Sequence, residues 1–493
     1  MKNIKLPVFL ILLMGSTHGL EHTQDKRTLN DNMAESYHRL PLEVDSLRDM
    51  FSKGIFYGRL RLNSFGFRWD DEVNINEQAL RKNHSIAGFG GSLIYKSAYL
   101  NGFSLGAGLY ATQAYGSLED KEAALYKSGK GTLSRRDLFN KGKQSILTFA
   151  QAYLEYKNKQ LSMKVGRQIF ESFLTASNDT KMIPNTFEGL TLNVNTLEDT
   201  EVKIAYLTKQ KLRDHSSFHH VLASADITEE NLENFYSQND DSAMHIGLSQ
   251  SKLDAAGIED RLIVFDAHNK SVENLLVHMN YTAVPELISS AMLQLDYAFN
   301  VDGLSIIPAL RYMQQFDNGA GQIAGANLKT ITEGYSKPES LDSWLLGARV
   351  DLGQDAWHLR FGYTKIADKG DIVAPWRGFP TAGFTRTMAQ YNWYANTITY
   401  MLRAEYDFEK AGLFSGLKTF VHYAIQDFDD KKAGVIFSDS EVLTLDILQE
   451  SQSIPNLYIK FRMGHVFGDA QKGDITKLDP SYDEARFEIN YLF

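Results

Sequence analysis

The nine residues from Ala485 to Phe493 read Ala-Arg-Phe-Glu-Ile-Asn-Tyr-Leu-Phe, with Ala485, Phe487, Ile489, Tyr491 and Phe493 on one parity and Arg486, Glu488 and Asn490 on the other. Successive side chains of a strand point to opposite faces, so this segment has an apolar face and a polar one, Leu492 excepted. The same period of two starts at Phe56, where Phe56, Gly58, Leu60 and Leu62 oppose Tyr57, Arg59, Arg61 and Asn63. It returns at Phe103 to Tyr110, at Leu359 to Thr364 around Arg360, at Leu402 to Phe408 around Arg403, and at Leu457 to Met463 around Arg462. A chain built from such segments is all-β. Its arginines keep to the polar parity.

The other end narrows the compartment. Met1 to Gly19 place Lys2 and Lys5 before the apolar run Leu6 to Met14 and the small-residue stretch Gly15-Ser16-Thr17-His18-Gly19, the layout of a secretory signal peptide. The run is about half of the roughly 20 residues that a spanning helix needs. An exported chain without cysteine gives up disulfides, which excludes the small stapled scaffolds. Mean hydropathy of −0.30 looks soluble, yet a membrane barrel also averages polar because half of every strand faces water. The net charge of −10, or −12 once Lys2 and Lys5 leave with the leader, argues against nucleic acid, whose binders carry a basic footprint.

Between leader and barrel, residues 20–53 form a polar extension in which Val44, Leu47, Met50 and Phe51 fall at the spacing of a short helix. From residue 54 to 493 the strands alternate with turn signals at Asn101-Gly102, Asp302-Gly303 and Asn318-Gly319 and with long polar stretches at Leu118 to Ser145, His215 to Ala243 and Gly319 to Leu341. Acidic runs at Glu229 to Asp241 and Asp427 to Asp430 read as solvated loops. Tight turns on one rim and long loops on the other suit a transmembrane antiparallel β-barrel. Roughly 440 residues at about 10 per tilted strand, plus connections, give about 16 to 20 strands. So wide a lumen is a channel or holds a plug, because side chains alone cannot fill it.

The closing strand resembles the last strand of bacterial outer-membrane barrels, in which a terminal aromatic such as Phe493 belongs to the signal read by the assembly machinery. A narrower likeness lies at Val165-Gly166-Arg167-Gln168 and at Ser177-Asn178-Asp179-Thr180-Lys181-Met182-Ile183-Pro184-Asn185-Thr186-Phe187-Glu188-Gly189, which resemble the segment of the OprD family of outer-membrane porins that folds inward as a constricting loop. Tyr206 to Ser216 resemble the strand and loop that follow, and Arg403 to Phe408 with Gly412 to Leu417 resemble the family's late hairpin. The resemblance implies an 18-stranded, often substrate-selective channel in outer-membrane lipid, passing small polar solutes such as amino acids, peptides or carboxylates, without cofactor. Monomer and trimer both stay open.

Two routes lead to candidate pore residues. Arg59, Arg61, Arg360, Arg403 and Arg462 have inward parity, and a charge on the lipid face near the midplane would cost about 2 to 4 kcal/mol. The family likeness adds Arg167, Asp179, Lys181 and Arg213. Guanidinium groups fit carboxylates, and a few of them along a narrow path attract anions. The plainer alternative is that these charges solvate a wide lumen and pair with one another.

Enzyme readings fare worse. Gly102-Phe103-Ser104-Leu105-Gly106 fits the serine-hydrolase pattern, but that pattern needs a turn into a helix, whereas alternation continues here through Leu109. A barrel phospholipase is the alternative function, although no local grouping marks its residues. His215, His219 and His220 beside Asp214 could hold a metal but read as simple surface residues, and Lys130-Gly131-Thr132 lacks the glycines of a phosphate loop. No catalytic, cofactor or metal residue is therefore assigned.

Overall fold

Every alternating segment named above is a strand in the computed structural model, which describes residues 27–29, 33–37, 40–72, 74–75, 78–79, 81–116, 119–126, 132–223, 247–388 and 391–493. The expected leader, the acidic run from Glu229 to Asp241 and the Lys130-Gly131 pair lie outside the described residues.

In chain order the barrel strands are β1 (Ile55–Trp69), β2 (His84–Lys96), β3 (Phe103–Gly116), β4 (Ser145–Lys157), β5 (Leu161–Gln168), β6 (Thr186–Leu197), β7 (Thr200–Lys211), β8 (Leu262–Asn269) and β9 (Leu275–Val284). They continue as β10 (Ile288–Tyr297), β11 (Leu304–Asp317), β12 (Ser343–Gln354), β13 (Trp357–Ile366), β14 (Ile398–Asp407), β15 (Leu417–Asp427), β16 (Ser440–Glu450), β17 (Leu457–Phe467) and β18 (Tyr482–Leu492). Each pairs antiparallel with its neighbour, and β18 pairs back on β1 to close an 18-stranded barrel. Closure follows from the solvent: hydrocarbon offers no partner to an exposed strand edge, so every backbone N–H and C=O must be satisfied within the sheet. Among the described residues no helix is long and apolar enough to cross a membrane.

The seam uses the last residue. Phe493 N–H donates to Gly58 O and Gly58 N–H donates to Phe493 O, both at 3.0 Å. If the terminal ring also serves assembly, Phe493→Ser, which keeps both backbone bonds, lowers the outer-membrane yield severalfold. Inserted protein would still run faster unheated than boiled on a denaturing gel. An unchanged yield would remove that role.

Parity holds around the wall. Arg59 and Arg61 are buried inside, whereas Phe56, Phe103, Leu105, Phe361, Leu402 and Phe487 are exposed on the outer face, as a lipid-facing belt requires. Connections on the rim shared with both ends of the barrel are short, for example residues 198–199 and 355–356, and ring pairs Phe103–Tyr156, Tyr297–Phe299 and Tyr406–Phe408 line its outside as an aromatic girdle. The opposite rim carries most of the long connections.

The helix expected near residue 47 is α1 (Leu47–Ser52), its first turn capped by Ser46 Oγ, which accepts from Asp49 N–H at 3.1 Å. Only Met50 of its residues is buried, against Val44 and Ala98, so its apolar face is narrower than the spacing suggests. Further upstream the extension enters the lumen: Met33 O accepts from Arg59 Nη1 at 2.8 Å, and Tyr37 stacks on the inward Tyr57 at 4.7 Å. Asn318-Gly319, read above as a turn, instead opens the connection 318–342, because the Asp317 carboxylate accepts N–H bonds from Gly319 and Gly321 (2.9 and 3.1 Å) and starts a short helix, Ala320–Ala324.

Candidate functional site

Segment 169–185, between β5 and β6, crosses the lumen. Near one end Phe173 N–H donates to Asp266 Oδ2 of β8 (3.2 Å), and further along Asp179 meets Arg59 and Arg61 of β1, seven strands away around the wall. The Asp179 carboxylate takes Arg59 Nη2 on one oxygen and Arg61 Nη1 on the other (2.7 Å), and Arg61 Nη2 also donates to Asp179 O (3.0 Å). Asn63, one inward step along, donates to Lys181 O (2.9 Å), and Lys181 Nζ sits 4.1 Å from the centre of the Phe65 ring. Arg213 reaches over from the connection after β7 to Thr180 Oγ1 (2.7 Å). Met182 and Ile183 fill a pocket formed by Tyr57, Ile94, Tyr110, Ile146 and Ala150 of the inner wall. Five of the nine expected residues thus converge on one crossing segment.

A second inward segment, 367–397 between β13 and β14, meets the first. Ala176 N–H donates to Trp376 O (3.0 Å), Gly378 N–H donates to Leu174 O (2.9 Å), and Trp376 Nε1 donates to Val221 O (2.7 Å). The segment then follows the wall: Arg311 Nη1 donates to Pro380 O (2.7 Å), and Thr364 and Thr385 share a hydroxyl bond (2.6 Å). It carries an aromatic cluster of Phe379, Tyr391 and Trp393, over which the Arg386 guanidinium lies 4.6 to 5.7 Å from the ring centres. Polarity could not reveal this segment, since it is rich in aromatics rather than in Ser, Asn or Asp. A signal did exist in inward-parity glycines: a Cβ on Gly362 would stand 2.2 Å from Phe384 O, and one on Gly464 2.2 Å from Met388 Cε.

One inward step toward the short-turn rim from those contacts lies a basic shelf. Arg349 follows Gly347 on β12, Arg360 precedes Gly362 on β13, Arg403 follows Met401 on β14, and Arg462 precedes Gly464 on β17. Arg360 and Arg403 stand in direct cross-strand register, a like-charge pairing that destabilises a sheet unless carboxylates or a passing anion offset it. Asp351 accepts from Arg360 Nε (2.6 Å) and faces Arg349 Nε (2.9 Å); Glu405 pairs with Arg403 and Asp446 with Arg462. Their side chains keep some exposure to the lumen, 16% for Arg360, 21% for Arg403 and 22% for Arg462, against 1% for Arg59 and Arg61. The first set can touch a solute in the lumen. The second is covered by the crossing segment.

Arg167 is misplaced in the sequence reading. It shares the outward parity of Met163 and Val165, and in register with Glu188 and Lys209 it forms a charged row on the outer face at the long-loop end of β5 to β7. Its Nε lies 3.3 Å from Glu188 Oε2 and its guanidinium 4.6 Å over Phe218. Pairing at the strand end, away from the midplane, makes an outward charge tolerable there.

The histidines of the connection after β7 are not simple surface groups. His215 is buried with its ring 4.7 Å from that of His219, and His220 Nδ1 lies 2.6 Å from Asp260 Oδ1. Burial pushes His219 down to about 4, while the hydrogen bond to Asp260 raises its neighbour His220. Asp260 also accepts N–H bonds from Leu222 (2.7 Å) and Ala223 (2.9 Å), so this group organises the loop. Gly102 to Gly106 run straight into β3, and Ser104 is buried with its hydroxyl on Ser97 O (3.1 Å), which is no nucleophile's turn.

Comparisons with known proteins agree with this architecture. The family described as outer membrane porin, OprD family, matches residues 60–491. Among solved structures the chain is similar to Pseudomonas aeruginosa OccK8 (OprE), at 13% identity and a TM-score of 0.66 over 90% of this chain and 99% of that one. It is also similar to Acinetobacter baumannii OccAB3, at 14% and 0.66 over 89% and 99%, and to Pseudomonas aeruginosa OpdK with vanillate, at 13% and 0.62 over 90% and 99%. No curated protein matches, and nothing supports a lipid-hydrolysing barrel. The family match runs from within β1 to the end of β18, across the crossing segment and the basic shelf alike, and the chain belongs to the OprD family of outer-membrane porins, channels of the outer membrane for small solutes.

Proposed function

We propose that this porin favours small anionic solutes, carboxylates above all, which pass the constriction between segments 169–185 and 367–397 and slide along the basic shelf. The observation that carries the reading is the register of Arg360 with Arg403 just below the segment that lines the passage. Two adjoining guanidiniums, with Arg349 and Arg462 at the same level, offer successive forks to a carboxylate, and local carboxylates keep the binding weak enough for release. The likeness to OpdK, solved with vanillate, supports the same class of solute. Arg59, Arg61, Lys181 and Arg213 act on selectivity by holding the crossing segment. Transport is diffusion without turnover. Residues 1–19 serve as the leader and 20–53 as an extension that reaches into the lumen, and Phe493 serves as the contact for the assembly machinery.

The test is a bilayer measurement on purified protein. In a low-salt KCl gradient the reversal potential is expected to report preference for Cl⁻, and benzoate is expected to reduce the chloride current where benzylamine does not. Cation preference, or equal effects of the two aromatic solutes, would refute the anion reading.

A further inference from the structure

A few strands around the wall from Arg349, on the hairpin of β8 and β9, three side chains of metal-ligating type lie together. Asp266 and His268 are two apart on β8 and so share the inward face, and His278 of β9 stands in direct register with His268. The imidazole rings stack at 3.9 Å with 18° between their planes, and both Nε2 atoms turn to the same carboxylate, His268 at 3.2 Å from Oδ1 and His278 at 2.9 Å from Oδ2. All three ligand atoms lie within 4.8 Å of one another.

The two carboxylate–imidazole separations are close to ligand–ligand edges of a small coordination polyhedron, and a turn of one stacked ring brings both Nε2 lone pairs onto one ion. With metal–nitrogen and metal–oxygen bonds of about 2.0 to 2.2 Å, a tetrahedral site has ligand–ligand edges of about 3.3 Å. The Asp266 carboxylate is held in place by Asn280 Nδ2 (2.8 Å) and by the N–H of Phe173 (3.2 Å), the kind of support that orients a ligand. Asp266 Oδ1 is buried without a hydrogen bond of its own, and His268 Nε2 stands close to it but off the line of one. His268 keeps 32% of its side chain exposed, which leaves a side open toward the lumen for an entering ion and for water as a fourth ligand. Two imidazoles and one carboxylate suit a borderline ion such as Zn²⁺ and offer too few oxygens for Ca²⁺ or Mg²⁺.

We propose that Asp266, His268 and His278 form a binding site for a divalent transition-metal ion, and that occupancy changes conduction. The link to conduction is Phe173, whose N–H is on Asp266 and whose ring stands edge-on to His278 at 6.3 Å, because Phe173 belongs to the segment that crosses the lumen. A bound dication adds positive charge beside the constriction and braces the root of that segment.

The probe is Zn²⁺ added to the purified full-length barrel, with binding followed by calorimetry in detergent and current in a planar bilayer. One Zn²⁺ per chain should bind, with a saturable change in conductance that a chelator reverses and that equal Mg²⁺ does not produce. His268→Ala should abolish both effects, and Asn280→Ala should weaken binding by about 10- to 100-fold. Co²⁺ bound to the intact barrel should show the intense visible bands of a four-coordinate ion, and these should be absent in His268→Ala. Heat-modifiable migration on gels checks that each variant is a closed barrel. Absence of stoichiometric binding, or equal Zn²⁺ affinity in His268→Ala and the parent chain, overturns the site, and binding without any change in current overturns its effect on conduction. Binding read by calorimetry stands apart from the anion reading, which rests on reversal potentials.

Discussion

Replacing Asp179 by Ala is expected to raise single-channel conductance by about twofold and to blunt discrimination among solutes, because it removes the latch of the crossing segment. Asp179 is the shared carboxylate of Arg59 and Arg61, and all three side chains are 5% exposed or less. Breaking such a pair from one side costs about 3 to 5 kcal/mol, since the two guanidiniums stay buried and lose the carboxylate they share. What still holds the tip is Arg61 on Asp179 O, Asn63 on Lys181 O, Arg213 on Thr180 Oγ1 and the packing of Met182 and Ile183 in their wall pocket, each hydrogen bond contributing about 0.5 to 1.5 kcal/mol, or up to about 3 where a charged group takes part. The segment should therefore leave the β1 wall first and stay attached at Phe173 and Trp376. Deleting Asn178 to Asn185 is the stronger form of the same experiment and should raise conductance further. If both variants conduct like the parent, segment 169–185 does not set the narrowest part of the path. Arg59→Ala and Arg61→Ala belong with this experiment, not with tests of direct solute contact, because the segment covers both guanidiniums.

The second large effect is expected at the basic shelf. Two unit charges 4 Å apart interact by about 1 kcal/mol in a water-like medium, which corresponds to about a fivefold change in the partition of an ion. Arg360→Gln or Arg403→Gln should each lower the partition of an anion at the shelf by about that factor, and the double variant by about 25-fold. Neither change strands a buried carboxylate, since Asp351 keeps Arg349 and Glu405 keeps His358 nearby. Reversal potentials in dilute KCl measure the shift. The shift should shrink as salt approaches 1 M, where the screening length is about 3 Å. Wild-type reversal potentials in the double variant at low salt would remove the shelf from the selectivity mechanism.

Much of this molecule could be read from the chain. A period of two needs only neighbouring residues to be seen, and hydrocarbon on one side enforces it strictly. Arg59, Arg360, Arg403 and Arg462 were therefore placed inward by parity alone, and β1, β3, β13, β14, β17 and β18 were identified from the same pattern. Arg167 shows the limit of a family likeness used without parity: Val165 and Met163 on its own face already marked it as outward. The helix at Leu47 was legible by spacing, but its narrow buried face was not, because that depends on Ala98 arriving from the neighbouring turn.

Long-range partners were not legible. That Asp179 would sit between Arg59 and Arg61, about 120 positions away, follows from where a loop comes to rest across the lumen, and nothing local to either segment encodes that distance. Segment 367–397 is not legible as a loop because its aromatics look like strand residues unless the glycines of the wall behind them are considered. The pairing of His268 with His278 needed the exact register of β8 on β9, since a slip by one residue would turn one ring to the lipid. By itself the sequence determined the barrel, its inside and its outside, because each strand answers locally to two different solvents. Only the tertiary structure decided which inward charges are buried and which keep some exposure to the lumen, because that depends on which groups the folded loops cover.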